Sequence, residues 1–234
     1  MTEKLYLSDA YLKECVARVT NQTPDGVILD KTIFYASGGG QPGDTGLLKT
    51  DDKQYLVTGC IKRDDETIHL IEGEKPAAGR EVTVEIDWDK RYALMRMHTA
   101  THVLSALMHK QGCYISGNQL GVERTRIDFT MESFDRKAYE KTVKDANEAL
   151  ARGLEVSIGE MPREEALATE GMIKLAGALP PDIVVLRTVR IGDVDYQADG
   201  GTHVHNTKEC GQITIEKLEN KGAKNKRLYF TLTT

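Results

Sequence analysis

The sequence predicts an α+β protein in which a small β-barrel domain, residues 1–88, precedes a two-layer α/β domain, residues 89–234. The first part of the chain has short runs of alternating apolar and polar residues separated by Gly, Pro and Asp, a pattern typical of strands and turns. The periodicity becomes helical directly after Asp87-Trp88-Asp89, which sets the predicted boundary. Helical and strand-like segments then follow one another to the end of the 234 residues.

The strands of the first domain are predicted from four runs of alternating residues. These runs are GVILDKTIFY, YLVTGCIK, TIHLIEG and REVTVEID. Each run is short, and turns with Gly, Pro and Asp divide them, as in a small barrel.

The second domain is predicted to open with a helix at residues 95–110, followed by a hairpin through Arg126 to Phe129. A long helix runs from Asp135, a favourable N-cap residue, to Arg152, and Gly153 ends it. A short helix starts at Pro162, and the strand IVVLRTV follows. The alternating runs of TIEKLENKGAKNKRLYFTL, divided by a glycine turn, predict a terminal hairpin.

A glycine-rich segment, FYASGGGQPGDTG, lies inside the first domain. It matches neither the phosphate-binding loop nor the dinucleotide fingerprint, so no nucleotide cofactor is predicted. Glycines allow close approach of a ligand to the backbone, and polar neighbours offer hydrogen bonds. The residues predicted to contact a substrate here are Gly39, Gly40, Gln41, Asp44 and Thr45. The alternative is a sharp corner of the barrel that binds nothing.

Two motifs a hundred residues apart predict one metal site. His98 and His102 are spaced i, i+4, so a helix places both imidazoles on one face. The loop Asp199-Gly-Gly-Thr-His203 supplies a carboxylate and a third histidine. Three or four such ligands with an open position are typical of hydrolytic zinc. Taken alone, the helical pair would equally suit solvated or core-packed histidines.

The residue at position 99 separates this motif from that of the zinc peptidases. Their helix reads His-Glu-x-x-His and uses the glutamate as general base, whereas this chain has Thr99. A site without that base favours a substrate more reactive than a peptide amide, such as an activated ester.

Charge and composition limit the partners and the compartment. The net charge of −5 disfavours general affinity for nucleic acid, yet the terminal hairpin is locally basic. Phosphate contacts are predicted for Lys221, Lys224, Lys226 and Arg227. A solvated edge that resists aggregation is the alternative.

No long apolar run or signal peptide is evident, so we expect a cytoplasmic protein that binds no membrane. The four cysteines are widely spaced and are expected to be free thiols.

These motifs together resemble the AlaX family of free-standing alanyl-tRNA editing proteins, in its medium-length class. The resemblance is carried in order by FYASGGGQPGDTG, RMHTATHVLSAL, RIDF, PREEA and ADGGTHVHNT, and it covers nearly the whole chain. It implies a deacylase with one zinc ion per chain that hydrolyses mischarged tRNA(Ala), chiefly Ser-tRNA(Ala) and also Gly-tRNA(Ala). It implies that His98, His102 and His203 are metal ligands that act in catalysis through the zinc. Asp199 stands at the fourth ligand position and is predicted to bind the metal directly or through water.

One position departs from the family pattern. The related synthetase motif has cysteine where this chain has Asp199, so a harder carboxylate replaces a soft thiolate. Cys210 and His205 are nearby alternative ligands. An editing site that hydrogen-bonds the serine hydroxyl can reject alanine, because alanine would leave the polar groups of the site unpaired. The residues predicted to bind that hydroxyl are Thr45, Gln41 and Thr202.

Two rival functions stay open at this point. One is a non-catalytic tRNA- or RNA-binding module with a degenerate metal site, and the other is a zinc amidohydrolase of small metabolites. The zinc could either activate water or orient the substrate, and the chain is expected to be a monomer or homodimer.

Overall fold

The chain forms two compact units, Met1–Ala93 and Leu94–Thr234, in a computed structural model. The structure describes residues 1–64, 66–131, 135–169, 171–172, 183–222 and 225–233. Strands dominate these residues, together with three α-helices and two short 3-10 turns. The predicted mixture of α and β structure is therefore confirmed.

The first unit is built from strands. They are β1 (Glu3–Lys4), β2 (Glu14–Gln22), β3 (Gly26–Leu29), β4 (Lys31–Thr32), β5 (Gly46–Lys49), β6 (Gln54–Val57), β7 (Gly59–Arg63), β8 (Glu66–Leu70) and β9 (Glu81–Ile86). All four runs predicted as strands overlap one or more of them. β1 and β4 pair in parallel, and the remaining seven strands form one sheet.

The seven-stranded sheet is open, so the predicted closed barrel is not supported. Its order is β6-β5-β9-β2-β3-β8-β7, with no pairing between β6 and β7 among the described residues. Only Thr58 separates these two strands, so they continue one another along the chain and cannot pair side by side. β2 serves both halves of the sheet, because its residues 14–18 pair with β9 and its later residues pair with β3. Local alternation predicts such strands but not whether the sheet closes.

The core of the first unit lies between the inward faces of these strands. Fully buried side chains include Val27, Phe34, Leu48, Val57 and Val84. Because successive strand residues point to opposite faces, the alternating burial of β9 shows which of its faces the core takes.

The second unit contains two antiparallel sheets. One has the order β10-β11-β16-β15 and the other β12-β13-β14. Their strands are β10 (Tyr114–Gln119), β11 (Thr125–Thr130), β12 (Val156–Pro162), β13 (Val185–Ile191), β14 (Asp195–Ala198), β15 (Gln212–Asn220) and β16 (Asn225–Thr233). The pairs β10–β11 and β15–β16 confirm both predicted hairpins.

Three α-helices accompany these sheets: α1 (Trp88–His109), α2 (Arg136–Ala151) and α3 (Arg163–Ala168). As predicted, the Asp135 side chain caps α2 by accepting from the Lys137 N–H, and Gly153 follows the helix with a φ of 72°. The side-chain amide of Asn147 joins α2 to β15, because it donates to the Ile213 carbonyl and accepts from the Ile213 N–H.

Two helix starts differ from the predictions. α1 begins at Trp88, where the periodicity changes, and its first turns precede the predicted start. Pro162 is the last residue of β12 and the N-cap of α3, with a ψ of 139°, so α3 itself begins at Arg163. Among the described residues no helix is long and apolar enough to cross a membrane. The four cysteines are free, as expected.

Candidate metal centre

Helix α1 carries the first two members of the candidate metal centre. His98 and His102 lie one turn apart, and their ring centroids are 4.9 Å from each other. Residues 94–108 of this helix are buried, apart from Arg96 and Leu107, which are partly exposed. A helix buried on nearly every side holds its side chains in fixed rotamers, so the two imidazoles have little freedom to move away.

Strand β14 brings the third member to these histidines. Asp195 and Gln197 are buried on one face of the strand, whereas Tyr196 between them stacks under Arg190. Asp199 continues the alternation just past the strand end, and its N–H still donates to the Arg187 carbonyl of β13 at 3.1 Å. Since strand side chains alternate, all three polar residues share one face.

A tight turn then returns the chain to the site. The Gly201 N–H donates to Oδ2 of Asp199 at 2.6 Å, which is the hydrogen bond of an Asx turn. This turn places His203 with Nε2 only 3.1 Å from the same carboxylate oxygen.

The structure brings the four predicted ligands together. Ligand-type atoms of His98, His102, Asp199 and His203 all lie within 4.8 Å of one another. Oδ1 of Asp199 is 3.6 Å from Nε2 of His98 and 3.9 Å from Nε2 of His102. Three imidazoles and one carboxylate form a donor set that suits a divalent transition metal.

Burial makes Asp199 the most accessible member. The side chains of His98, His102 and His203 are 5%, 5% and 1% exposed, while that of Asp199 is 21% exposed. The carboxylate is therefore the most solvent-exposed donor group of the cluster.

The electrostatics of the site favour the protonation states that a metal ion requires. Burial lowers the pKa of His98 well below its usual value, and burial together with His102 lowers that of His203 to about 4. Burial alone would raise the pKa of Asp199, but His98 and the hydrogen bond with His203 outweigh it and keep that pKa well below normal. At neutral pH His98 and His203 are neutral and Asp199 is ionised, as metal ligation needs.

The spacing of the donors tests whether an ion fits. Tetrahedral ligands about 2.0–2.2 Å from a zinc ion lie roughly 3.3 Å from one another. The shortest distances from the Asp199 carboxylate to the three Nε2 atoms are 3.1, 3.6 and 3.9 Å. The residues present therefore fit a small divalent ion with modest adjustment.

Three contacts of the cluster with neighbouring residues were not predicted from the sequence. Asp195 Oδ2 lies 3.1 Å from Nδ1 of His102, and the amide nitrogen of Gln197 lies 2.6 and 3.0 Å from the two ring nitrogens. Thr99 Oγ1 lies 3.1 Å from Nδ1 of His203. The alternating polar residues of DYQAD were the available signal for the first two.

The alternative ligands lie outside the cluster. Among the described residues, the side chains close enough to share a metal ion are the four predicted ones, and neither His205 nor Cys210 belongs to this group. His205 is exposed. Cys210 is fully buried, and burial raises its pKa to about 12, so at neutral pH it is a thiol and not the thiolate that binds metals.

The glycine-rich segment belongs to the first unit, and its glycines have two separate uses. Gly39 and Gly40 have φ values of 58° and 86°, and they form a turn closed by hydrogen bonds between Gly38 and Gln41. At Gly43 and Gly46 an added Cβ would lie 2.2 and 2.1 Å from a backbone oxygen of a neighbouring strand. Gly43 and Gly46 therefore allow close packing of the backbone against neighbouring strands, as expected if the segment is a structural corner. Gly39, by contrast, is exposed.

The polar residues of this segment differ in accessibility. Asp44 is fully buried, where its carboxylate pairs with Arg91 and accepts from the Tyr35 N–H at 2.6 Å. Gln41 is 2% exposed. Thr45 is partly exposed, with Oγ1 3.5 Å from the Lys90 ammonium. In the second unit, Thr202 is buried in the loop that precedes His203.

The basic residues of the terminal hairpin are largely occupied by internal partners. Arg227 donates to both carboxylate oxygens of Asp128, at 2.6 and 3.0 Å, and Lys226 is 2% exposed and donates to the Gly222 carbonyl. Lys221 pairs with Glu219 at 2.9 Å. Lys224 lies outside the described residues.

Family models match two parts of the chain. The family described as "tRNA synthetases class II (A)" matches residues 5–90. The family described as "Threonyl and Alanyl tRNA synthetase second additional domain" matches residues 186–229, a range that includes Asp199 and His203.

Curated relatives match the chain from end to end. It is 42% identical to the alanyl-tRNA editing protein AlaX-M of Saccharolobus solfataricus and 43% identical to that of Methanosarcina barkeri, and each alignment covers 99% of both proteins. It is also 39% identical to the alanine–tRNA ligase of Pyrobaculum calidifontis, over 93% of this chain but 25% of the ligase. The chain therefore belongs to the family of alanyl-tRNA editing proteins AlaX-M.

Proposed function

We propose that this chain is a trans-editing deacylase that hydrolyses the ester of mischarged tRNA(Ala), chiefly Ser-tRNA(Ala) and also Gly-tRNA(Ala). The names of its full-length relatives support the substrate class. The observation that carries the chemistry is the buried group His98, His102, Asp199 and His203, whose donor atoms converge. In this proposal the group holds one zinc ion, and the unit containing it is a two-layer α/β editing domain.

A bound zinc ion would supply Lewis-acid polarisation of the ester carbonyl and of the attacking water. The three histidines would hold it through Nε2, and Asp199 would complete the site from its exposed side. The buried imidazoles exclude bulk water from that side of the reacting ester, which strengthens electrostatic stabilisation of the developing charge.

The residue at the peptidase base position supports an ester substrate. The hydroxyl of Thr99 contacts His203, and Thr99 offers no carboxylate to take a proton. Hydrolysis of an aminoacyl ester, which is already reactive towards water, asks less of the site than cleavage of a peptide amide.

Selectivity for serine is assigned in this proposal to hydroxyl groups and to the glycine turn. Thr45 is the foremost reader of the serine hydroxyl, because it is the partly exposed member of the set that includes Gln41 and Thr202. A site that hydrogen-bonds a substrate hydroxyl rejects alanine by leaving its own polar group unpaired. Gly39 and Gly40 would let the backbone approach the substrate closely.

Contact with the tRNA backbone is assigned to the terminal hairpin. Among the described residues Lys221 is the foremost candidate, because its side chain is exposed at its pair with Glu219, whereas Lys226 and Arg227 are held by Gly222 and Asp128. Lys224 keeps its assignment from the sequence alone. Lysine contacts to phosphates would make tRNA binding weaken as salt rises.

Deacylation of Ser-, Gly- and Ala-tRNA(Ala) by purified protein tests the proposal. We expect the parent to hydrolyse the seryl ester and spare the alanyl ester, and His98→Ala to lose at least about 100-fold in rate while keeping its affinity for tRNA. His109→Ala is the matched control, because His109 ends the same helix outside the cluster. Binding of tRNA without hydrolysis would show a non-catalytic module, and turnover of small amides in place of tRNA would show an amidohydrolase.

A further inference from the structure

Helix α1 contacts the loop that carries His203 through the side chain of Thr99. Thr99 lies between the two helical histidines and is 0% exposed. Its Oγ1 is 3.1 Å from Nδ1 of His203 and also accepts the Val204 N–H at 3.3 Å. One hydroxyl therefore touches both the ring and the backbone of the loop.

The orientation of His203 depends on what its two ring nitrogens contact. Nε2 faces Asp199 and the other histidines, and Nδ1 faces Thr99. A neutral imidazole has a proton on one nitrogen and a lone pair on the other, and the partner of the protonated nitrogen selects the tautomer. A hydroxyl can accept from Nδ1–H or donate to Nδ1, so it supports the ring in either tautomer.

We propose that Thr99 is a positioning residue that holds His203 with Nε2 directed at the metal site. The inference rests on the proposed zinc site and adds a function for the residue that replaces the peptidase glutamate. With a zinc ion in the site, the Nδ1–H of His203 would donate to Thr99 Oγ1, which would leave the lone pair of Nε2 for the ion. Removal of such a partner lowers metal affinity by about ten- to a hundredfold in comparable sites.

The chain offers a matched control on the same helix. Thr101 is 2% exposed, and its hydroxyl donates to the Met97 carbonyl of its own helix. Thr101→Val removes a buried hydroxyl that donates to the helix backbone, not to a histidine of the cluster. Thr99→Ser keeps the hydroxyl and should keep the function.

Zinc affinity, measured by competition with a chromophoric chelator, tests the inference without tRNA. We expect Thr99→Val to bind zinc about ten- to a hundredfold more weakly than the parent, and Thr99→Ser and Thr101→Val to remain within about threefold. Equal affinity of Thr99→Val and the parent, or an equal loss in Thr101→Val, would overturn the inference.

A second measurement uses the unaltered protein and does not depend on the folding of a variant. Nitrogen NMR of histidine-labelled, zinc-loaded protein should show His203 bound through Nε2, with a slowly exchanging proton on Nδ1. Coordination of His203 through Nδ1 would overturn the inference. Failure of the parent to bind one zinc ion would instead remove the proposed metal site, so the two failures are distinguishable.

Discussion

Nε2 of His203 lies 3.1 Å from Oδ2 of Asp199 in the cluster. An ionised carboxylate accepts hydrogen bonds only, and an unprotonated imidazole nitrogen does the same. A neutral His203 satisfies this contact by carrying its proton on Nε2 and donating it to the carboxylate, or both atoms can bind one cation. Because His98 and His102 direct two further nitrogens at the same carboxylate, a metal ion satisfies all four groups at once.

Replacement of Asp199 tests whether the carboxylate is a ligand. We expect Asp199→Ala to lower zinc affinity by at least about 100-fold, and Asp199→Cys to restore it, because zinc also accepts thiolate. Asp193→Ala is the control, since Asp193 is an exposed carboxylate that pairs with Arg152. Chelator competition measures all of them, and unchanged affinity in Asp199→Ala would remove this residue from the ligand set.

The hydroxyl of Thr45 is expected to contribute to selectivity. Thr45→Val should lower the ratio of seryl to alanyl deacylation rates by about tenfold, the effect of one lost hydrogen bond of roughly 1.4 kcal/mol. Thr50→Val is the control, because the Thr50 hydroxyl bonds the nearby Lys53 backbone in an exposed turn. The rates are measured with both charged tRNAs, and an unchanged ratio would exclude Thr45 as the reader.

The ion pair of Asp44 and Arg91 is expected to stabilise the glycine-rich segment. Both side chains are almost wholly buried, and Arg91 also donates to the carbonyls of Ala10 and Ile33. Asp44→Asn leaves a buried guanidinium without its counter-charge, so the free energy of unfolding should fall by about 3–5 kcal/mol. Urea unfolding measures this. Asp52→Asn, at an exposed pair, should leave the midpoint unchanged, and equal midpoints for parent and Asp44→Asn would contradict the interpretation.

Buried His69 is expected to make the first unit sensitive to acid. Burial lowers its pKa to about 4, and its Nε2 lies 2.7 Å from the Thr32 hydroxyl. The unfolded chain binds a proton below pH of about 6.5 and the native chain does not, so stability falls as the pH drops from about 6.5 to 4, by up to about 3 kcal/mol.

Urea unfolding at pH 7 and pH 4.5 checks this acid dependence. His69→Gln should flatten the part of the pH dependence that belongs to His69, whereas His205→Gln, at an exposed position, should not. An identical loss of stability in parent and His69→Gln would contradict the assignment.

The metal ligands could be predicted because their signals are local. The spacing of His98 and His102 fixes a shared helix face, and Asp199 and His203 stand in one short loop. The contacts of Asp195 and Gln197 with His102 were not predicted, because β14 has only four residues and its pairing with β13 across a turn sets which face they occupy. Thr99 contacts a residue 104 positions away, which no local pattern encodes.

The errors in the fold have a similar origin. Alternation predicts individual strands, but closure of a barrel depends on the pairing of edges, and β6 continues into β7 through Thr58 instead of pairing with it. A polar residue type likewise identifies a hydrogen-bonding group, but it does not determine whether that group contacts a ligand or another residue of the protein. Asp44 and Lys226 are buried among partners of their own unit, which only the tertiary structure reveals.

The most direct test of metal-dependent catalysis is the rate of Ser-tRNA(Ala) hydrolysis. The rate is measured before zinc is removed with a chelator, after its removal and after zinc is added back. We expect the rate to disappear with the metal and to recover on addition of one equivalent of zinc, while Ala-tRNA(Ala) remains intact throughout. A seryl deacylation rate that persists in protein shown to be free of metal would contradict the assignment of catalysis to the cluster of His98, His102, Asp199 and His203.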